Sequence, residues 1–153
     1  MQPGTTEEHC SIAATLGVIG DRWSLLILRD VFRGNHRFSV IQSDLGIAKN
    51  LLADRLTQLI DDEILEKVLY CERPARYEYR LTAKGADLSA LLIALMKWGD
   101  RWHSDGEPPT VLVHRECGTP LELHVACPHC DAPVRPGQIR SLNQATTEEM
   151  TTH

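Results

Sequence analysis

The stretch from Ile47 to Glu63, IAKNLLADRLTQLIDDE, constrains the fold more than any other part of the chain. Leu52, Leu56, Leu59 and Ile60 recur at helical spacing and belong on one core-facing side. Lys49, Asn50, Ala53, Arg55, Thr57 and Gln58 are then left pointing outward. A shorter helical pattern precedes it, with Phe38, Ile41, Gln42 and Leu45 stopped by Gly46. Two helices joined by a few residues, the second with a polar outer face, read as a helix-turn-helix.

The flanking segments extend this unit. A first helix is expected over Cys10–Ile19, closed by Gly20. Asp21 is placed to cap a second, RWSLLILRDVF, which is apolar on several faces and should be largely buried. After the helix-turn-helix, Leu65, Val68 and Tyr70 mark one strand, and Tyr77, Tyr79 and Leu81 alternate in another. The intervening CERPAR makes a hairpin whose loop carries Arg73 and Arg76 around Pro74. A helix-turn-helix followed by a basic hairpin is a winged helix. Thr82 should then cap one long helix over residues 83–103, with an apolar stripe of Leu88, Leu91, Leu92, Leu95, Trp98 and Trp102. Some of that stripe packs on the body, and a terminal helix of this length is often a dimer element.

The fold class expected is mainly α with a small β-hairpin, α+β, in a winged helix-turn-helix spanning residues 9–104. Residues 105–110, containing DGEPP, read as a linker. Residues 111–137 form a small β extension, and the polar stretch 138–153 lacks the apolar content to order itself.

The net charge of -5 argues against a nucleic-acid ligand until its distribution is examined. Residues 1–104 hold 13 Lys+Arg against 14 Asp+Glu; residues 105–153 hold 3 against 7. The acidity lies mostly in the C-terminal part, and a near-neutral body can carry a local basic surface. No uncharged apolar run of about 18 residues is present, so no membrane span is expected. The acidic, polar start, MQPGTTEEHC, does not read as a signal peptide. A cytoplasmic location follows as the expectation, with thiols reduced and the five cysteines not forming a disulfide framework.

Four segments together carry a family pattern: CSI at Cys10 with VIGDRWSLLILRD from Val18 to Asp30; Arg37 with Phe38; Leu52 with Arg55 and Leu56; and YEYRLTAKG from Tyr77 to Gly85. Over residues 9–103 the chain resembles the HxlR-type, MarR-like winged helix-turn-helix regulators. The resemblance implies a homodimeric bacterial or archaeal transcription factor bound to operator DNA. Several members sense electrophiles or oxidants through a cysteine at the start of the first helix, the position of Cys10. Two positions depart from the pattern. Ala48 stands where a small polar cap is usual and cannot accept the capping hydrogen bond. Glu63 stands near a usual glycine.

The candidate DNA contacts are therefore Lys49, Asn50, Ala53, Arg55, Thr57 and Gln58 on the helix and Arg73 and Arg76 on the wing. Asn and Gln read adenine, Arg reads guanine, and Lys49 near the helix start suits a phosphate. Arg55 is the least secure, because Leu56 beside it faces the core and Asp54 and Asp61 are near. Cys10 is either a small apolar filler or a redox-sensing thiol activated by a helix N-terminus. The effector is then an oxidant, or else a small molecule at the dimer interface.

In the extension, His114-x2-Cys117-x9-Cys127-x2-Cys130 has the spacing of a zinc ribbon, with Gly118 easing the turn. One imidazole and three thiolates form a soft tetrahedral set that favours Zn²⁺ in a structural site; His124 competes with His114 for the fourth place. Two other readings are open. Cys127-Pro-His-Cys130 resembles the active-site tetrapeptide of thiol-disulfide oxidoreductases, but Pro133 and Pro136 follow where that chemistry needs a helix. A winged helix can also serve protein contacts, with the zinc ribbon as adaptor. Residues 1–104 hold no nucleophile–base pair and no phosphate loop, so no enzyme is expected.

Overall fold

The computed structural model describes residues 10–106 and 108–141. The chain divides between Trp98 and Gly99 into two compact units.

The first unit starts with α1 (Ser11–Ile19), for which Cys10 is the N-terminal flanking residue. Only Ile19 of this helix is buried; Ile12 and Leu16 are 72% and 58% exposed. Helix α2 (Arg22–Phe32) begins where Asp21 accepts hydrogen bonds from the backbone N–H groups of Trp23 (2.9 Å) and Ser24 (3.1 Å), and the Ser24 hydroxyl donates to the same carboxylate. Ile27, Leu28 and Val31 bury the expected apolar face. Asp30 is buried beside them, which periodicity did not suggest. Its carboxylate pairs with Arg29 at 2.8 Å, and Arg29 reaches on to Asp44 of α3 at 3.0 Å. Burial raises the Asp30 carboxyl pKa in spite of Arg29.

Helices α3 (Phe38–Leu45) and α4 (Lys49–Asp61) are joined by Gly46, Ile47 and Ala48. Gly46 closes α3 at φ 59°, the left-handed conformation that a glycine adopts without steric cost. Ile47 turns into the core. Leu52, Leu56 and Leu59 are fully buried, as their spacing required; Ile60 is half-buried against the same cluster.

Strands β1 (Leu65–Glu72) and β2 (Ala75–Leu81) pair antiparallel, from Leu65 opposite Leu81 to Glu72 opposite Ala75, with an irregularity between Leu69 and Cys71. The wing is tied to the body at its base. Tyr79 N–H donates to the His36 carbonyl (2.7 Å), and His36 Nδ1 lies 3.1 Å from the Tyr79 carbonyl. Thr82 N–H donates to the Ile64 carbonyl, and its hydroxyl bonds the Glu63 carbonyl at 2.6 Å. Glu63 adopts φ 58°, the conformation in which glycine would be unstrained, so this departure from the family pattern is a real local strain.

The single helix expected over residues 83–103 is instead two. α5 (Ala83–Ala86) is one turn capped by the Thr82 hydroxyl, and α6 (Ser89–His103) follows after Asp87 and Leu88. The break has a packing cause. Gly85 lies so close to the wing base that a Cβ there would meet the Ile64 carbonyl oxygen at 2.1 Å. Docking α5 this tightly stops the helix within a turn, and Leu88 N–H closes the end with a bond to the Gly85 carbonyl. No residue of α6 is buried, although Leu88 and Leu92 pack on the edge of the core.

The second unit contains a two-strand ladder, β3 (Ala126–Cys127) with β4 (Ala132–Pro133), and a 3-10 turn at Pro136–Gln138. Residues 142–153 of the expected polar tail lie outside the described residues. Among the described residues no single helix is long and apolar enough to cross a membrane.

Gly85→Ala should cost about 1–3 kcal/mol, because backbone rather than a flexible side chain must give way. Urea unfolding of the variant checks this; unchanged stability would mean that α5 is free to shift off the wing.

Candidate nucleic-acid interface

With three leucines buried, the remaining face of α4 is fixed. Lys49, Asn50, Ala53, Thr57 and Gln58 are all exposed. The Thr57 hydroxyl donates to the Ala53 carbonyl at 2.9 Å, which leaves its oxygen as an acceptor. Asp54 shares this exposed face and was not singled out from the sequence. A carboxylate there can accept from a cytosine amino group. Ala48 at the start of α4 makes no side-chain cap, as its methyl group dictates.

Arg55 has a different environment from its neighbours. It is half-buried, and its Nε lies 3.5 Å from Asp21 Oδ1 while Nη1 donates to Gln58 Oε1. The partner is thus neither Asp54 nor Asp61 but the residue that caps α2. One carboxylate starts α2 and also holds α4 by its arginine. Burial alone would raise the Asp21 pKa; hydrogen bonds from Ser24 and the charge of Arg55 outweigh it and hold the carboxyl below its ordinary value.

Both wing arginines are exposed, Arg73 at the turn and Arg76 within β2 opposite Cys71. Among the described residues neither they nor Lys49 form an ion pair. Other cations on the wing, and Arg37 at the start of α3, are engaged. Lys67 sits 4.3 Å from the Tyr77 ring, and Arg37 sits 4.7 Å from the Tyr70 ring. Arg37 and Arg80 both pair with Glu78, at 3.3 and 3.0 Å. Hydrogen bonding from Arg80, and then from Arg37, holds the Glu78 carboxyl below its usual pKa. Arg37 and Lys67 are surface features that the sequence reading did not assign. No sequence signal paired them with these rings, since the register sets Lys67 opposite Tyr79 and Arg37 stands at the start of α3.

Cys10 is exposed at the N-terminal end of α1, and its carbonyl accepts from Ala14 N–H at 3.0 Å. His9 beside it lies outside the described residues.

In the second unit His114 and Cys117 are together, Nδ1 to Sγ 3.2 Å, and Cys117 also bonds the Thr119 hydroxyl at 3.2 Å. Those bonds, Thr119 first, lower the Cys117 thiol to about 7. Cys127 receives the backbone N–H groups of Cys130 and His129, which lowers it as well. Among the described residues no three His, Cys, Asp or Glu side chains converge on one point, so the four expected ligands stand as two pairs. Cys127 lies in β3 and Cys130 in the turn that follows it; the next element is the two-residue β4, not a helix. The helix N-terminus on which thiol oxidoreductase chemistry depends is therefore lacking after this pair.

Residues 18–107 match the family described as HxlR-like helix-turn-helix. The chain belongs to that family. HxlR-like relatives are transcriptional regulators, which places this chain with regulators and not with enzymes. An uncharacterised HTH-type transcriptional regulator of Mycobacterium tuberculosis (strain H37Rv) is 40% identical over 121 residues, covering 78% of this chain and 77% of its own length. The crystal structure of PA1607, a proposed transcription factor, aligns with a TM-score of 0.79 at 38% identity, over 90% of this chain and 99% of that one. The redox regulator HypR in its oxidised form aligns with a TM-score of 0.58 at 27% identity, over 62% of this chain and 99% of that one. The HypR match is about the size of the winged helix alone. The first two are larger than the winged helix can supply and so include part of the extension.

Asp21→Ala should remove about 1 kcal/mol through loss of the cap, and Arg55→Ala a smaller amount, about 0.5 kcal/mol. The Asp21 pKa is depressed on folding, so its contribution is complete above the ordinary carboxylate pKa, near 4, and is lost as pH falls through the lower folded value. Urea unfolding at pH 7 and pH 3 should show the gap between wild type and Asp21→Ala closing in acid. A gap independent of pH would contradict this.

Proposed function

We propose that this HxlR-like chain is a dimeric repressor that reads operator DNA with α4 and steadies it with the wing. The observation that carries the proposal is the exposed polar face of α4, Lys49 to Gln58, together with the unpaired Arg73 and Arg76. Asn50 supplies an adenine reader near the start of α4, and Lys49 a phosphate contact. Arg73 and Arg76 supply phosphate or minor-groove contacts beside it. Arg55, anchored to Asp21, orients α4 and is not a base reader.

Dimerisation is supported by the apolar faces left open on α1 and α6. Ile12, Leu16, Leu91 and Leu95 are exposed, and such residues on two helices of one unit are poorly explained in a monomer. A two-fold dimer presents its α4 helices about one DNA turn, roughly 34 Å, apart and selects a near-palindromic site. Cys10, exposed at a helix start, is the thiol through which an oxidant or electrophile would release the DNA, in a cytoplasmic setting where thiols are kept reduced.

Fluorescence anisotropy with genomic operator fragments separates the roles. Arg76→Ala should weaken all sequences alike and reduce the salt slope by about one unit. Asn50→Ala should instead lose about 1–3 kcal/mol on the specific site and relax discrimination at one base pair. Absence of any DNA binding at low salt would favour a winged helix used for protein contacts. Cys10→Ser should abolish release by peroxide or quinone; release that persists points to a small-molecule effector. Sedimentation should give a dimer that Leu95→Glu dissociates, and an unchanged dimer would move the interface elsewhere.

A further inference from the structure

The extension has an organisation that its sequence conceals. An offset of 13 residues relates two backbone hydrogen bonds of one half to two of the other. Leu121 N–H donates to the Leu112 carbonyl at 2.8 Å, and Val134 N–H to the Val125 carbonyl at 2.7 Å. Gly118 N–H donates to the His114 carbonyl at 2.8 Å, and Asp131 N–H to the Cys127 carbonyl at 2.9 Å. Val113 bridges Pro120 as Ala126 pairs with Pro133. Gly118 and Asp131 both take positive φ, 70° and 49°. The extension is thus two copies of one turn, and in each the first and fourth residues are His114 with Cys117 and Cys127 with Cys130.

A second observation concerns what holds these turns together. Not one described residue from 105 to 141 is buried. Units below about 40 residues seldom build a sufficient core and are usually completed by a disulfide, a metal or a partner. All three cysteines here are free thiols. We infer that the two turns are the two halves of one tetrahedral zinc site, with His114, Cys117, Cys127 and Cys130 as its four ligands.

The donors fit the ion. Zinc binds thiolate sulfur at about 2.3 Å and imidazole nitrogen at about 2.0–2.1 Å. Neighbouring ligand atoms in a tetrahedron then stand about 3.5 Å apart, close to the 3.2 Å between His114 Nδ1 and Cys117 Sγ. The backbone N–H groups of His129 and Cys130 already point at Cys127 Sγ, where they would stabilise a metal-bound thiolate. The two pairs do not converge among the described residues, so binding must fold one turn onto the other through residues 122–125, which have no regular structure. The 13-residue offset also selects the fourth ligand. His114 is the counterpart of Cys127, whereas His124 matches Val111, which has no metal-binding side chain, and His129 matches Glu116, which lies inside the first turn. With four protein ligands no coordination position remains for water, and the site is structural.

The test uses the full chain, reduced and freed of metal, titrated with Co²⁺ and then Zn²⁺. One Co²⁺ per chain should bind with the absorption of a tetrahedral thiolate complex, and one equivalent of Zn²⁺ should displace it. Metal should protect three of the five thiols from alkylation, leaving Cys10 and Cys71 reactive. Cys117→Ser and His114→Ala should each weaken binding roughly 100-fold or more, and His124→Ala should not. A purely octahedral spectrum, five reactive thiols in zinc-treated protein, or loss of binding with His124→Ala but not His114→Ala would overturn the assignment. The thiol count is made on wild-type protein and stands even where a variant fails to fold.

Discussion

The rotation of α4 about its own axis is set by three leucines. Leu52, Leu56 and Leu59 lie on one side of the helix and are removed almost wholly from water. Each contributes about 1.5–3 kcal/mol by burial. Turning the helix by one residue would exchange that burial for exposed charge, so a single orientation is available. The polar face of α4 needs no contacts of its own to be held outward. Gly46 delivers the chain into this orientation, and the Asp21–Arg55 pair fixes the end of α2 against it.

The wing is organised differently. Its base is hydrogen-bonded to His36, Glu63 and Ile64, but beyond Val68 its side chains are largely exposed. There the stabilising contacts are cations over tyrosine rings and the pairing of Glu78 with Arg37 and Arg80, each modest at a surface. The hairpin is stiffened along its length while its two outermost arginines stay uncommitted.

The helix-turn-helix was legible in the sequence because its signals are local: apolar residues at three- and four-residue spacing, a capping aspartate, a stopping glycine. The departure at Glu63 was visible only through the family resemblance, and its positive φ came from the structure. What could not be read has a common physical cause. Asp21 and Arg55 are far apart in the chain, so Asp54 and Asp61 looked like the natural partners. The buried Asp30 is stabilised by Arg29 and offers no periodic mark. Leu88 and Leu92 continue the apolar stripe across the break at Asp87, and only the close approach of Gly85 to Ile64 reveals that the helix has ended. The doubling within the extension is hidden because only Cys117/Cys130 and Pro120/Pro133 are identical between its copies. The rest of the likeness is in the backbone.

That break at Asp87 and Leu88 has a mechanical meaning. On one side lies a block in which α5, the wing base and α4 are locked by backbone contacts; on the other lies a helix that buries none of its residues. Hydrogen bonds nevertheless run through it, from Leu88 N–H to the Gly85 carbonyl and from Leu92 N–H to the Leu88 carbonyl, and both leucines pack on the edge of the core. The start of α6 is therefore held to the block, while Leu91 and Leu95 on the same helix are left facing water. The break thus sets the direction in which the helix leaves the core, and with it which apolar residues stay open.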